Sequence, residues 1–344
     1  MQWAMGGLSC LVLVCLLGSQ QQTPPVGPER WLHTYSNDDG SRPDGNIAAR
    51  DDSSALKKAL AAGPGIVRIG PGHYRLSEVL IPAGVSLLGT GHGTVLQATG
   101  SKPVFKQTAV SDWRLRDVTV HGEATGPWQQ RTDAGAHGIV IEGCWNYEVT
   151  GVQIKDFAGA GLQISRTNLP NSGFSNGGII NAIVASGNFI GVRFDTRGEY
   201  VTASQLMCQH NVTGVTIHAG NTNIANSNIG TNTNGIIIED HENGSHGSLT
   251  GCLVNHNERY ALLARNSLNA MAISNCCFFY GTIQLENCEG FNITSSLLGC
   301  NVRTIGDLPN RFAGNHVSGE GQLFEFAPAT LLDGNFSKSG PWKK

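Results

Sequence analysis

The stretch "GIIIEDHENGSHGSLTGCLV", Gly235 to Val254, decides how this chain folds. It holds a short apolar strand, a loop of polar residues and glycines, and a second short strand, with no periodic run long enough for a helix. It also recurs. Strands of the same kind open as "GIVIEG" at Gly138, "GLQISR" at Gly161, "GVRFDT" at Gly191, "GVTIHA" at Gly214, "ALLARN" at Ala261 and "TIQLEN" at Thr282. With Gly235 included, the intervals are 23, 30, 23, 21, 26 and 21 residues. Second strands such as "YEVTGVQI", "VTASQLMC", "AMAISNCC" and "FNITSSLL" fall between them. Two or three strands per repeat and no room for a crossover helix describe one coil of a right-handed parallel β-helix. In such a solenoid each strand pairs with its counterpart one coil up, ~4.8 Å away.

Alternation along each strand then separates inside from outside. Ile139, Leu162, Val192, Val215, Ile236, Leu262 and Ile283 form one inward column. Ile141, Ile164, Phe194, Ile217, Ile238, Ala264 and Leu285 form a second. Thr216 is placed on the outer face. Three residues before the strand glycines stand Asn188, Asn211 and Asn232, a polar column at a corner. Asparagine tolerates the left-handed conformation and its amides bond along a stack, so this column reads as structural. Cys252, Cys276 and Cys300, spaced 24 residues apart, suggest a stack of small buried side chains, with one disulfide as the alternative.

Composition agrees with a turn-rich β chain: 45 of 344 residues are Gly, only 14% are charged and 7% aromatic. A formal net charge of -3 provides no basic patch to attract nucleic acid. The apolar run Leu8 to Leu17 is too short to span a bilayer, which needs ~20 residues, and reads as a secretory signal removed near Gly18 or Ser19. The expected organisation is a signal peptide over 1–19, an extension over 20–50, a capping helix over 51–63 and the β-helix over 64–344. After cleavage no membrane partner is expected, and the product is expected outside the cell or in the periplasm.

"DDSSALKKALAAG", Asp51 to Gly63, carries Asp and Ser caps ahead of Ala55, Leu56, Ala59 and Leu60 at helical spacing. Such a helix can plug the open end of a solenoid. Together with "GIVRIGPGHYRLSEVLIPAGVSLLGTGHGTVL" it resembles the opening of the pectate-lyase-like superfamily, in its rhamnogalacturonase and epimerase-like branch. The resemblance implies the β-helix fold and a choice among lyases, hydrolases, epimerases and phage tailspikes, which share it. Polygalacturonases of this fold need an acid where this chain has "NTNGI", and the clustered acidic calcium ligands of pectate lyases are not seen. "GTNTNGIIIEDHENG" is similar to difructose-anhydride-forming inulin fructotransferases, although Asn234 stands where that family uses an acid.

Chemistry has to come from the outward face. The residue closing each strand is Glu142, Ser165, Asp195, His218, Glu239, Arg265 or Glu286, one per coil. Asp195 and Glu239 therefore flank His218, roughly 9.6 Å apart by backbone spacing. Inverting glycosidases hold their two carboxyls ~6.5–9.5 Å apart. For a hydrolase, Glu239 or Asp240 is the expected general acid and Asp195 the base. For a lyase, His218 or Arg265 removes the proton alpha to a uronate carboxylate that Arg193 or a bound calcium ion neutralises. Hydrolysis requires no cofactor or metal. His241 in the following loop and Trp128 in the insertion Gly122 to His137 complete the expected substrate contacts, Trp128 either stacking on sugar or lying buried under its loop. The same row also reads as a solvated ladder of alternating charges. A glycan-binding or adhesive solenoid without catalysis would need nothing more.

Overall fold

The computed structural model describes residues 28–46, 51–167, 173–240, 244–318, 321–337 and 340–341. The signal segment expected at 1–19 and His241 lie outside them. The repeat forms a right-handed parallel β-helix, the hand that parallel connections adopt. One strand of each coil joins a 13-stranded sheet that runs from Glu29–Trp31 to Leu331–Asp333, and the other strands form a 21-stranded sheet. Among the described residues every ladder is parallel except the last, where Phe336–Ser337 meets Gly340–Pro341.

The two apolar columns pair residue for residue. Leu162 lies beside Val192, Val192 beside Val215, Val215 beside Ile236 and Ile236 beside Leu262. Phe194, Ile217 and Ile238 follow in the second column, and all of these side chains are fully buried. The sheet begins earlier than the sequence pattern suggested. Glu29–Trp31, within the expected extension, pairs with Ile66–Arg68 and supplies the first strand. The helix Ser53–Ala61 buries Ala55, Leu56, Ala59 and Leu60 in the same core. Its first turn is satisfied partly from outside the helix: Asn37 Oδ1 accepts from Ala55 N at 3.2 Å, and Asp51 Oδ1 from Ser53 N at 2.8 Å.

Two corners of successive coils are held by short side chains that bond up the stack. At one, Gly187, His210, Thr231 and His256 take the left-handed conformation, with φ of 67°, 55°, 54° and 53°. Each is followed by a buried asparagine. Asn188 N and Nδ2 both donate to Asn211 Oδ1, at 2.9 and 3.1 Å; Asn211 repeats this on Asn232, and Asn232 on Asn257. At the other corner Cys252 N–H donates to Cys276 Sγ at 3.4 Å, Cys276 N–H to Ser296 Oγ at 3.2 Å and Ser296 N–H to Asn315 Oδ1 at 3.0 Å. Cys300 is not in this stack, as its spacing had suggested. It lies within the strand Leu297–Ile305, and Ser296 takes the corner position. The seven cysteines from Cys144 to Cys300 are free thiols.

The ladder makes a stability prediction. Replacing Asn211 with Ala leaves the donors of Asn188 and the carbonyl of Ala185 without their buried partner. Unmade buried hydrogen bonds cost ~1–3 kcal/mol each, so Asn211→Ala is expected to lose at least about 3 kcal/mol in urea denaturation. Asn223→Ala, on the exposed face of the 13-stranded sheet, should change stability by less than about 1 kcal/mol. Equal losses would remove the ladder as the corner's support.

Candidate functional site

The strands that close one face of the solenoid bring two outward rows side by side, one through the middle of each strand and one at its end. The middle row contains Gln163, Arg193, Thr216, Ile237 and Leu263, paired in sequence from coil to coil. Beyond it runs the row that closes the strands, in which Glu239 pairs with Arg265 and Arg265 with Glu286. Asp195 and His218 continue that row just past the ends of their strands. The alternation that builds the core thus also sets this face, since every second side chain must leave the interior.

The row is connected. His218 Nδ1 lies 3.5 Å from Asp195 Oδ1 and His218 Nε2 lies 3.8 Å from Glu239 Oε2, while the other oxygen of Glu239 is ion-paired with Arg265. The side chain of His218 is 16% exposed, against 45% for Arg265 at the far end. The imidazole is therefore sheltered and the arginine reaches into solvent. Burial alone would push the Asp195 carboxyl up. Hydrogen bonds from His218 and the Thr196 N–H, with the charges of His218 and Arg193, outweigh it and hold the group down at about 2. Asp195 is thus an ionised carboxylate at neutral pH, oriented by Thr196 N at 2.8 Å.

Arg193 stands beside Asp195 under a loop. Its Nη2 donates to Asp133 Oδ2 at 2.6 Å and its Nη1 to Gln163 Oε1 at 3.2 Å. Asp133 comes from the insertion Gly122 to His137, and so does His137, whose Nδ1 accepts from Ala160 N at 2.9 Å. Burial, then the nearby Arg193 charge, drive the His137 imidazole below its ordinary range; Asp133 and Asp195 oppose this only in part. His137 is therefore neutral in the fold. Neither Asp133 nor His137 was marked by the sequence. The register does predict Gln163 beside Arg193, but a loop of this length carries no periodicity from which Asp133 could be placed.

Three expected contributions are redistributed. Asp240 does not share the row with Glu239. Its carboxylate accepts from Ser245 N at 2.7 Å, Ser267 Oγ at 2.9 Å, Leu268 N at 2.8 Å and Asn269 Nδ2 at 3.2 Å, which ties Asp240 to the next coil. With four donors on two oxygens it is a structural anchor, and Glu239 is left as the acid of the pair. Trp128 packs its ring against His210 at the asparagine corner, centroids 6.0 Å apart, outside the row. Thr216 faces outward but is 4% exposed, and its hydroxyl has no hydrogen-bond partner. Among the described residues no group of three His, Cys, Asp or Glu is arranged to hold a metal ion, and no helix is long and apolar enough to cross a membrane.

No protein-family model matches the chain, and no curated protein sequence matches it. Solved structures do. The A-module of the Azotobacter vinelandii mannuronan C-5 epimerase AlgE4 superposes with a TM-score of 0.57 at 15% identity, covering 90% of this chain and 95% of that one. The catalytic unit of the GH87 alpha-1,3-glucanase of Streptomyces thermodiastaticus strain HF3-3 gives 0.65 at 15% identity, over 93% and 71%. A tailspike protein of E. coli bacteriophage HK620, solved with a pentasaccharide, gives 0.60 at 10% identity, over 90% and 66%. At these identities the shared property is the fold: all are β-helices, and this chain is one too.

The depressed carboxyl of Asp195 has a pH consequence. A carboxyl whose folded-state value lies below its ordinary value of 3.8 contributes stability that is present above pH ~4 and lost as pH falls toward 2. The contribution is about 2 kcal/mol, at ~1.4 kcal/mol per pH unit. Asp195→Asn removes it. Urea denaturation of both proteins should show a difference of about 2 kcal/mol at pH 6 that shrinks toward zero near pH 2. A difference independent of pH would overturn the assignment.

Proposed function

We propose that this protein is a secreted carbohydrate-active enzyme that cleaves an acidic polysaccharide by hydrolysis, with Glu239 as general acid and Asp195 as general base. The observation that carries this reading is the row itself. Two carboxylates stand two coils apart with an imidazole between them, beside the Asp133–Arg193 ion pair that the 122–137 insertion brings to the same face. The spacing of two coils, roughly 9.6 Å, suits a pair that must admit a water beside the substrate. Support of a coarser kind comes from the neighbours, which by name include a mannuronan epimerase, an alpha-1,3-glucanase and a tailspike bound to a pentasaccharide.

In this reading Glu239 gives its proton to the glycosidic oxygen as the bond to the anomeric carbon breaks. Asp195 takes a proton from the water that attacks the same carbon from the opposite side. One water is consumed, one reducing end appears, and the proton gained by Asp195 returns to Glu239 through His218, which faces both. Arg265 explains the preference for an acidic chain. A uronate carboxylate draws the guanidinium away from Glu239 and leaves that glutamate free to face the glycosidic oxygen.

A second reading, β-elimination, is favoured by the sheltered His218 lying next to a glutamate that carries an arginine. There His218 removes the proton alpha to the carboxylate, Arg193 or Arg265 neutralises that carboxylate, and the glycosidic oxygen on the neighbouring carbon leaves as the double bond forms. A reducing-end assay and an absorbance assay for unsaturated uronate, run together on a panel of acidic and neutral glycans, separate the two. Hydrolysis yields reducing ends without unsaturated product. Glu239→Gln is expected to lower turnover at least about a hundredfold while moving the melting temperature by no more than a few degrees. Unchanged turnover in Glu239→Gln would remove the row from the chemistry. Retained glycan binding with no product from any glycan would make the solenoid a binding protein.

A further inference from the structure

The asparagine corner is regular until its fourth member. From Asn188 to the inward Val192 is four residues, as from Asn211 to Val215 and from Asn232 to Ile236, but from Asn257 to Leu262 is five. The additional residue falls in the segment Glu258–Tyr260, which leads into the strand that ends at Arg265. There the Arg259 guanidinium lies over the ring of Tyr260, 4.9 Å from its centroid and inside the ~6 Å reach of a cation–π contact. Among the described residues Arg259 has no carboxylate partner. A cation that is stacked rather than ion-paired keeps its charge available to a ligand.

Arg259 and Tyr260 form one wall of a cleft of about 440 Å³, a size common for ligand pockets. Thr282 and Gln284 lie on its floor, one coil up from Tyr260, and Arg303 one coil further. The opposite wall is the strand Phe324–Glu325, which pairs with Val302 and Arg303, together with Leu323, 59% exposed. Glu325 reaches Arg303 at 2.9 Å across the opening, but both side chains are about half exposed, so the pair is weak and a ligand can displace it. The cleft thus combines two guanidinium groups, an aromatic ring, amide and hydroxyl groups and one exposed aliphatic side chain. A sugar ring presents apolar C–H faces and equatorial hydroxyls, and an acidic sugar adds a planar carboxylate that a guanidinium binds as a fork.

The cleft is also continuous with the row described above. The strand Tyr260–Arg265 begins at the cleft and ends at the arginine paired with Glu239, and Arg303 stands three coils, ~14 Å, beyond the strand of Glu239. We infer that this cleft is a binding subsite for an acidic sugar of the polymer, with Arg259 and Arg303 holding its carboxylate and Tyr260 carrying its ring. The chain would then lie along the solenoid axis, held at the cleft and cut at the row. This subsite rests on the glycan-cleaving reading. It adds that the charge of the polymer is recognised some distance from the bond that breaks.

The test uses tetragalacturonate as the acidic probe and cellotetraose as the neutral one, each titrated calorimetrically into the full-length Glu239→Gln protein, which binds without consuming them. Adding Arg259→Gln or Arg303→Gln is expected to weaken tetragalacturonate binding about tenfold each and cellotetraose binding less than about twofold. In the otherwise unchanged protein the same arginine substitutions should raise KM for the acidic glycan while leaving kcat near its original value. Melting temperatures of the arginine variants should match their parents, since both side chains are exposed. Tetragalacturonate affinity unaffected by both substitutions, in a protein that still turns over an acidic glycan, overturns the subsite alone. Binding of neither probe and turnover of no glycan would sink the subsite and the cleavage reading together.

Discussion

What the whole solenoid depends on is the way its corners are closed. A coil of short strands can turn only if some residue takes the left-handed conformation, and for a residue other than glycine this costs roughly 1–2 kcal/mol. His210, Thr231 and His256 all accept that cost. The asparagine that follows each of them offsets it by directing backbone N–H and side-chain amide onto the next asparagine's oxygen. Each such bond contributes ~1 kcal/mol net, and two are made per step, so the corner roughly breaks even and then gains from the strands it aligns. Because every step leans on its neighbour, the corner fixes where the following strand starts. The register of the core columns, and of the outward rows, is inherited from it.

Much of this architecture was legible because a solenoid repeats the same physical problem. Alternation in "GVTIHA" and "GIIIED" placed Val215, Ile217, Ile236 and Ile238 inside, and they pair as expected. The asparagine column was visible through its fixed offset from glycines. Asn257 escaped for the same reason: its corner is one residue longer and no glycine opens the strand. Cys300 misled because equal spacing in sequence is not equal position in a coil when one coil is shorter than the next; the corner position passed to Ser296. Of the site, the row Asp195, His218, Glu239 and Arg265 followed from the register alone. Asp133 and His137 did not, because a loop carries no period. The role of Asp240 depended on donors from Ser267, Leu268 and Asn269 on another coil, which no local pattern reveals.

Alternating charges on an outward face are what any β-helix would use to remain soluble, and exposed pairs of that kind contribute ~0–1 kcal/mol. The row from Asp195 to Arg265 differs from such a ladder in its shelter. The carboxyl of Asp195 is held at about 2 although burial opposes ionisation, which requires specific donors rather than general solvation. Arg193 is covered by Asp133 from a loop that crosses the corner. Thr216, in the middle of the face, is buried with an unpartnered hydroxyl, an arrangement that costs free energy for want of a hydrogen bond.

A uniform solenoid has no intrinsic place for chemistry, since every coil presents nearly the same surface. Function can be located only where the repeat is broken, and the breaks here converge on one face. The 122–137 insertion brings Asp133 and His137 to Arg193; Asp240, after Glu239, is bonded to the coil above; the lengthened corner at Glu258–Tyr260 places Arg259 and Tyr260 beside the last coils. Each of these departures costs local regularity. All three departures adjoin strands of the 21-stranded sheet, whereas the opposite sheet runs through thirteen strands from Glu29–Trp31 to Leu331–Asp333. Their common direction, along the axis from Arg193 to Arg303, matches an extended ligand better than a compact one, and it is this shape, more than any single residue, that favours a polymer as the partner of the face.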